Sequence, residues 1–160
     1  MIKLLLLLLP LSLLHAQSVV YLLPDEQSRL IHDINLKVKT ASSDILLLTP
    51  AFHHAAIKKS ILAAAKKGTT VKLIVNEPKN DPVYMVQYAN IDLMHYRERK
   101  FEGSTLVIDK AFLCTFPEAI DQEIFSEHRS LVRCSDDPRE IDLIRRTLQS
   151  TLSHAVSYLE

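Results

Sequence analysis

Three apolar runs of strand length, separated by two stretches of helical spacing, constrain this chain more than any other feature. Ser18 to Leu23, Asp44 to Thr49 and Thr70 to Val75 are the runs. The middle one, Asp44-Ile-Leu-Leu-Leu-Thr49, shows no polar alternation, as expected of a strand buried on both faces. Between the first two, Leu30, Ile34, Val38 and Ala41 recur at helical spacing and predict an amphipathic helix over 26–41, with Asp25 or Ser28 as its cap. Between the second and third, Ile57, Ile61 and Ala64 form an apolar stripe with Lys58, Lys59, Lys66 and Lys67 opposite. Pro50 signals a helix start there and Gly68 a helix end. The order β-α-β-α-β favours a largely parallel sheet covered by helices.

Past Pro78 the pattern changes. A short helix is expected around 82–90, strands at 91–94, 104–108, 111–116 and 129–134, and a hairpin about Asp109-Lys110. Ile141, Ile144, Leu148, Leu152 and Ala155 predict a terminal helix over 137–158. The expected architecture is a single α/β domain with a mixed β-sheet flanked by helices.

The start of the chain reads differently. Met1-Ile2-Lys3 carries one positive charge, Leu4 to Leu14 is a leucine-rich run of 11, and Ala16 offers a small residue at a cleavage position. That is the pattern of a secretory signal peptide, and the run is short for a membrane span of about 20 residues. Residues 1–16 are therefore expected to be a signal peptide and 17–160 the folded domain, exported across the inner membrane and periplasmic in a Gram-negative cell. Lys+Arg and Asp+Glu are equal at 19 each, which argues against a strongly electrostatic nucleic-acid binder. Only two glycines are present, so glycine-rich phosphate loops are excluded. No Cys/His spacing suggests a metal, and no cofactor is implied. Cys114 and Cys134 in an oxidising compartment read as a disulfide, or else as two buried small side chains that never meet.

The order of elements, with the stretch Ile61-Leu-Ala-Ala-Ala-Lys-Lys-Gly-Thr-Thr-Val-Lys-Leu-Ile-Val75, the Ile91-Asp-Leu strand and the apolar strand ending in Asp109, resembles the phospholipase D superfamily. The resemblance is to its small exported endonucleases, which carry one H-x-K-x-x-x-x-D motif per chain. It covers nearly the whole of 17–160. It implies a histidine nucleophile, a lysine that neutralises phosphate charge, an aspartate that orients the histidine, and a second histidine contributed by a dimer partner, with no metal.

This sequence departs from that motif at the reacting positions. Counting back from Asp109, the histidine position holds Glu102 and the lysine position Ser104. Phe116-Pro117 stands where the family has Gly-Ser, and Ser126-Glu127 matches a later family glutamate. Both changes at the motif oppose anion binding: a positive charge is lost, and a carboxylate is added where like charges repel. A second register, His95-x-Arg97-x-x-x-x-Glu102, keeps the chemistry with conservative exchanges, but Glu98-Arg-Lys-Phe101 is polar where the family has a buried strand.

Other candidates are weaker. His53 and His54 follow a buried strand, at the sheet edge where ligands usually lie, and read as an acid, base or ligand pair or as a helix-start surface pair. His128 could partner Glu127. Arg97, Arg99 and Lys100, interleaved with Tyr96 and Phe101, read as a phosphate-binding or solvated loop. Arg145 and Arg146 read as the exposed face of the last helix. Two functions follow from the resemblance and its departures. One is a catalytically degenerate descendant kept as a binding or assembly module, homodimeric or paired with an active paralogue. The other is a phosphodiesterase acting on nucleic acid or phospholipid through a rearranged site at His95, Arg97 or His53. A disulfide-stapled envelope domain with no surviving ligand is the structural alternative.

Overall fold

The computed structural model describes residues 17–79 and 81–159; the expected signal peptide lies outside the described residues. Its elements run in the order β1 (Ser18–Leu23), α1 (Gln27–Thr40), β2 (Asp44–Thr49), β3 (Phe52–His53), α2 (Ala55–Lys66), β4 (Thr70–Val75), α3 (Asp81–Met85), β5 (Ile91–His95), β6 (Ser104–Ile108), β7 (Phe112–Phe116), β8 (Ile120–Asp121), α4 (Gln122–Glu127), β9 (Ser130–Ser135), α5 (Pro138–His154) and β10 (Val156–Ser157).

Eight strands form one mixed sheet in the order β1-β9-β7-β6-β2-β4-β5-β10, and β3 pairs β8 in a separate two-stranded sheet. Strand β2 is parallel to β4 and antiparallel to β6, so the parallel and antiparallel halves meet on it. Ile45 and Leu47 face a core closed by Leu30, Ile34 and Val38 of α1 and Ile57 and Ile61 of α2. Leu46 and Leu48 face the other side, where Ile141 and Leu148 of α5 pack with Ile74 and Val107. The unbroken apolar run predicted a strand covered on both faces, and that is its position. The two edges differ. On one side β10 pairs only at Val156↔His95 and Ser157↔Met94. On the other, β1 pairs β9 along its full length and is the outermost strand.

Four sequence readings need correction. Helix α1 is capped by neither Asp25 nor Ser28; its cap residue is Glu26, which makes no side-chain cap hydrogen bond. Pro50 does not start a helix; the two residues of β3 intervene, and α2 begins at Ala55 behind the cap residue His54. The expected helix over 82–90 is a single turn, ending before Asn90, whose φ of 66° lies in the left-handed region. The terminal helix stops at His154, because the chain then extends to pair with β5. The hairpin forms as expected, with Asp109 at φ 52° between β6 and β7.

Cys114 and Cys134 are directly opposed in the β7–β9 ladder, with Cα atoms 4.1 Å apart, and form a disulfide. Both are buried. The cross-link closes a loop of sequence separation 20, which in the chain-entropy treatment stabilises by about 3 kcal/mol. Exchanging both cysteines for alanine is expected to lower the urea-unfolding free energy by about 3 kcal/mol, while alkylation and mass analysis of the unreduced protein find no free thiol.

Candidate functional site

The ends of β2, β4 and β5 and the start of β6 share one edge of the sheet, and most of the sequence candidates collect there. The register places Thr49 beside Val75, Val75 beside His95, and Leu48 beside Thr105. Across this edge lie β3 and β8, followed directly by α4.

Ser104, at the position of the family lysine, is only 2% exposed. Its Oγ lies 2.7 Å from Thr49 Oγ1 and 2.7 Å from the Glu118 carbonyl oxygen. Thr49 Oγ1 in turn donates to the Ala51 carbonyl at 2.6 Å and accepts from Ile120 N–H at 3.3 Å. The one hydroxyl proton of Ser104 has two acceptors within reach, so the position is satisfied by neutral groups. Gly103 is fitted as tightly: a Cβ there would stand 2.2 Å from the Phe116 carbonyl oxygen. The backbone at Phe116-Pro117 thus closes over the position between Glu102 and Ser104.

Glu102 itself is exposed. With Arg99, Lys100, Thr105 and Thr115 it lines a cleft of about 360 Å³ on the α5 side of the sheet. Glu127 is exposed at the end of α4, and His128 turns away from it to reach Glu118 Oε1 at 3.3 Å. The other Glu118 oxygen, Oε2, is buried without a partner among the described residues.

Asp109 does not join these residues. Five residues of β6 separate it from Ser104, a rise of roughly 16 Å to the opposite edge of the sheet. There its carboxylate accepts the backbone N–H groups of Ser42, Ser43 and Asp44 at 2.9 to 3.0 Å, and the Ser42 hydroxyl. Burial pushes its pKa up, but these hydrogen bonds together outweigh burial and hold it below its ordinary value of 3.8. The role expected from the resemblance, orienting the group at position 102, is not available at that distance. Arg145 belongs to the same structural cluster. It is half-buried rather than exposed and donates to Asp44 Oδ2 at 2.7 Å and the Asp109 carbonyl at 2.6 Å. Arg146 is exposed and, among the described residues, pairs only Asp142.

The second register is equally occupied. His95 ends β5, where its Nε2–H donates to the Asn76 carbonyl at 2.9 Å and its Nδ1 accepts from Arg97 Nε at 3.1 Å. Neither ring nitrogen keeps a free lone pair. The side chain of Asn76 also ties down the basic loop, donating to the Tyr96 and Arg99 carbonyls and accepting from Phe101 N–H. Tyr96 and Phe101 stack at 5.1 Å and pack toward α5. The aromatics between the basic residues are therefore core, not a stacking surface for bases.

His53 and His54 separate in role. His54 is 2% exposed; its Nδ1 accepts a long bond from Ile57 N–H at 3.5 Å, its ring packs 5.1 Å from Phe125, and its Nε2 has no partner among the described residues. Burial holds its pKa below the ordinary 6.5. His53 is exposed, and its Nδ1–H donates to Asp81 Oδ2 at 3.1 Å. Asp81 is buried and also accepts from Lys58 Nζ at 2.7 Å. Sequence reasoning missed Thr49, Asn76, Asp81 and Glu118. A polar residue directly after an apolar strand was the signal for Thr49 and Asn76; the other two act across separations that no local pattern reveals.

The chain shares its fold with solved phospholipase D family structures. NucT from Helicobacter pylori superposes with a TM-score of 0.81 over 90% of this chain and 100% of its own, at 16% identity. Nuc from Salmonella typhimurium, a phospholipase D family member, gives 0.76 over 90% of this chain and 99% of its own, at 15% identity. A phosphatidylserine synthase from Haemophilus influenzae gives 0.65 over 89% of this chain and 39% of its own, at 13% identity. No protein-family model and no curated protein sequence matches the chain.

Two measurements test the assignments made here. Asp109→Ala leaves three N–H groups without their acceptor and is expected to cost about 2–3 kcal/mol in denaturant unfolding. Because the folded pKa of Asp109 is depressed, its contribution is present above pH 3.8 and is lost as pH falls below it. The folded pKa of His54 is depressed too, so at neutral pH both states are uncharged there. Below pH 6.5 the unfolded chain takes the proton more readily, and stability falls. His54→Asn keeps a cap acceptor and is expected to flatten the stability profile between pH 6.5 and 5.

Proposed function

We propose that this chain has lost the phospholipase D reaction centre and works, after export, as a binding or assembly module. The observation that carries this reading is position 104. A phosphodiester needs a cation there, and the chain has a buried hydroxyl whose hydrogen bonds are completed by Thr49 and a backbone carbonyl. Glu102 adds a negative charge beside it, and Asp109 is committed to backbone N–H groups at the far edge. Export is supported by the form of residues 1–16 and by the disulfide, a bond at home in an oxidising compartment. Pairing with a second copy or with an active paralogue follows from the resemblance, since single-motif members build one site from two chains.

A second reading, a phosphodiesterase with a rebuilt centre, has one observation in its favour, and it lies at His53 rather than His95. A histidine held at Nδ1 by a buried carboxylate, with Nε2 open to solvent, has the orientation of a general base or nucleophile. Lys58 on the same carboxylate supplies a nearby cation.

Residues 17–160, assayed with a chromogenic phosphodiester and with DNA in the presence of chelator, are expected to show no activity above a boiled control. Chelator-resistant activity that disappears in His53→Ala would establish the second reading instead. Restoring the motif with Glu102→His and Ser104→Lys is not expected to restore activity. The lysine would be buried among neutral groups and is expected to destabilise the fold by more than about 3 kcal/mol. A strict monomer by light scattering at micromolar concentration argues against the homodimer.

A further inference from the structure

A groove of about 530 Å³ runs between α1 and α2, on the side of the sheet away from α5. It is lined by Ala56, Ser60 and Ala63 of α2, three small side chains on one helical face, and by the buried Ala64. Leu36 of α1 forms one wall and is 51% exposed, off the stripe of Leu30, Ile34 and Val38 that α1 buries. The rim is cationic. Lys39, Lys59 and Lys67, with His32, border the groove, and none of its lining residues is acidic. Among the described residues, no carboxylate forms an ion pair with these three lysines.

We infer that this groove docks an acidic amphipathic helix of a protein partner. The inference rests on the binding-module reading above and names the partner's chemistry. Small residues on a helix face let a second helix approach closely, and an exposed leucine beside them supplies an apolar contact for its inner face. Three ammonium groups with no ion-pair partner among the described residues, set around small side chains, complement carboxylates flanking an apolar stripe. The shape decides against a lipid surface as the occupant. A bilayer meets a protruding apolar face, whereas here the small side chains line a concave groove that Lys39, Lys59 and Lys67 also line.

The probe is a synthetic, fluorescently labelled 18-residue peptide with leucines at helical spacing and glutamates on the flanks, titrated with the purified protein by fluorescence anisotropy. Micromolar binding that weakens with salt is expected. It is expected to fall at least tenfold with Lys39→Glu, Lys59→Glu and Lys67→Glu combined, and also with Leu36→Asp alone, and to be unchanged by Lys110→Glu on the distant β6–β7 turn. The single leucine variant serves if the triple variant does not fold. A scrambled peptide of equal charge that binds equally well would overturn the inference, as would absence of binding. Binding to phosphatidylglycerol vesicles that Leu36→Asp abolishes, with none to the peptide, would assign the groove to a membrane and overturn it as well. Neither result depends on phosphodiesterase activity, so a failure here is distinguishable from a failure of the binding-module reading.

Discussion

Burial of β2 on both faces is the constraint on which the rest of this structure depends. A strand with apolar side chains up and down cannot face water on either side. Two helices must cover one face and a third the other, and α1, α2 and α5 do so. The same strand joins the parallel half of the sheet to the antiparallel half. Its two ends then become two different places. One end, at Thr49, lies under β3, β8 and α4, beside Ser104 and Ile120. The other, at Asp44, is pinned by Arg145 and by the loop wrapped around Asp109.

That division bears on the different uses made of the two ends of β6. The motif spans β6 from end to end, so its aspartate and its lysine position need not serve the same purpose. Asp109 serves the fold: its carboxylate is the acceptor for three backbone donors, a duty independent of any substrate. The lysine and histidine positions have no such structural duty. Once serine stands at 104, neutral hydrogen bonds fill the space, and Gly103 admits the Phe116 carbonyl close above it.

Local pattern made much of the fold legible. The three apolar runs, the two covering helices, the hairpin at Asp109 and the terminal helix were readable because each follows from spacing within a dozen residues. The disulfide was one of two readings of the cysteines, and the opposed register of β7 and β9 decides between them. The two-residue strands β3, β8 and β10 were not readable, since so short a segment has no period. Nor were the side-chain pairs that define the candidate site. His53 meets Asp81 and Ser104 meets Thr49 only after the sheet has formed. Arg145 looked like an exposed helical residue because nothing near it in sequence shows that Asp44 waits across the interface.

The unequal edges of the sheet carry a consequence for self-association. Strand β1 is six residues long, uncharged and free of proline, and among the described residues it is the outermost strand on its side. Part of this edge is closed by its own chain: the Glu26 carboxylate accepts from Leu22 N–H at 2.9 Å and Glu26 N–H donates to the Leu22 carbonyl at 2.8 Å, an irregular cover of the kind that blunts strand addition. The opposite edge ends in the two residues of β10, too few to hold a further strand. Both edges thus resist growth by strand pairing: one is stopped at Leu22 by the turn that follows it, the other by the brevity of β10.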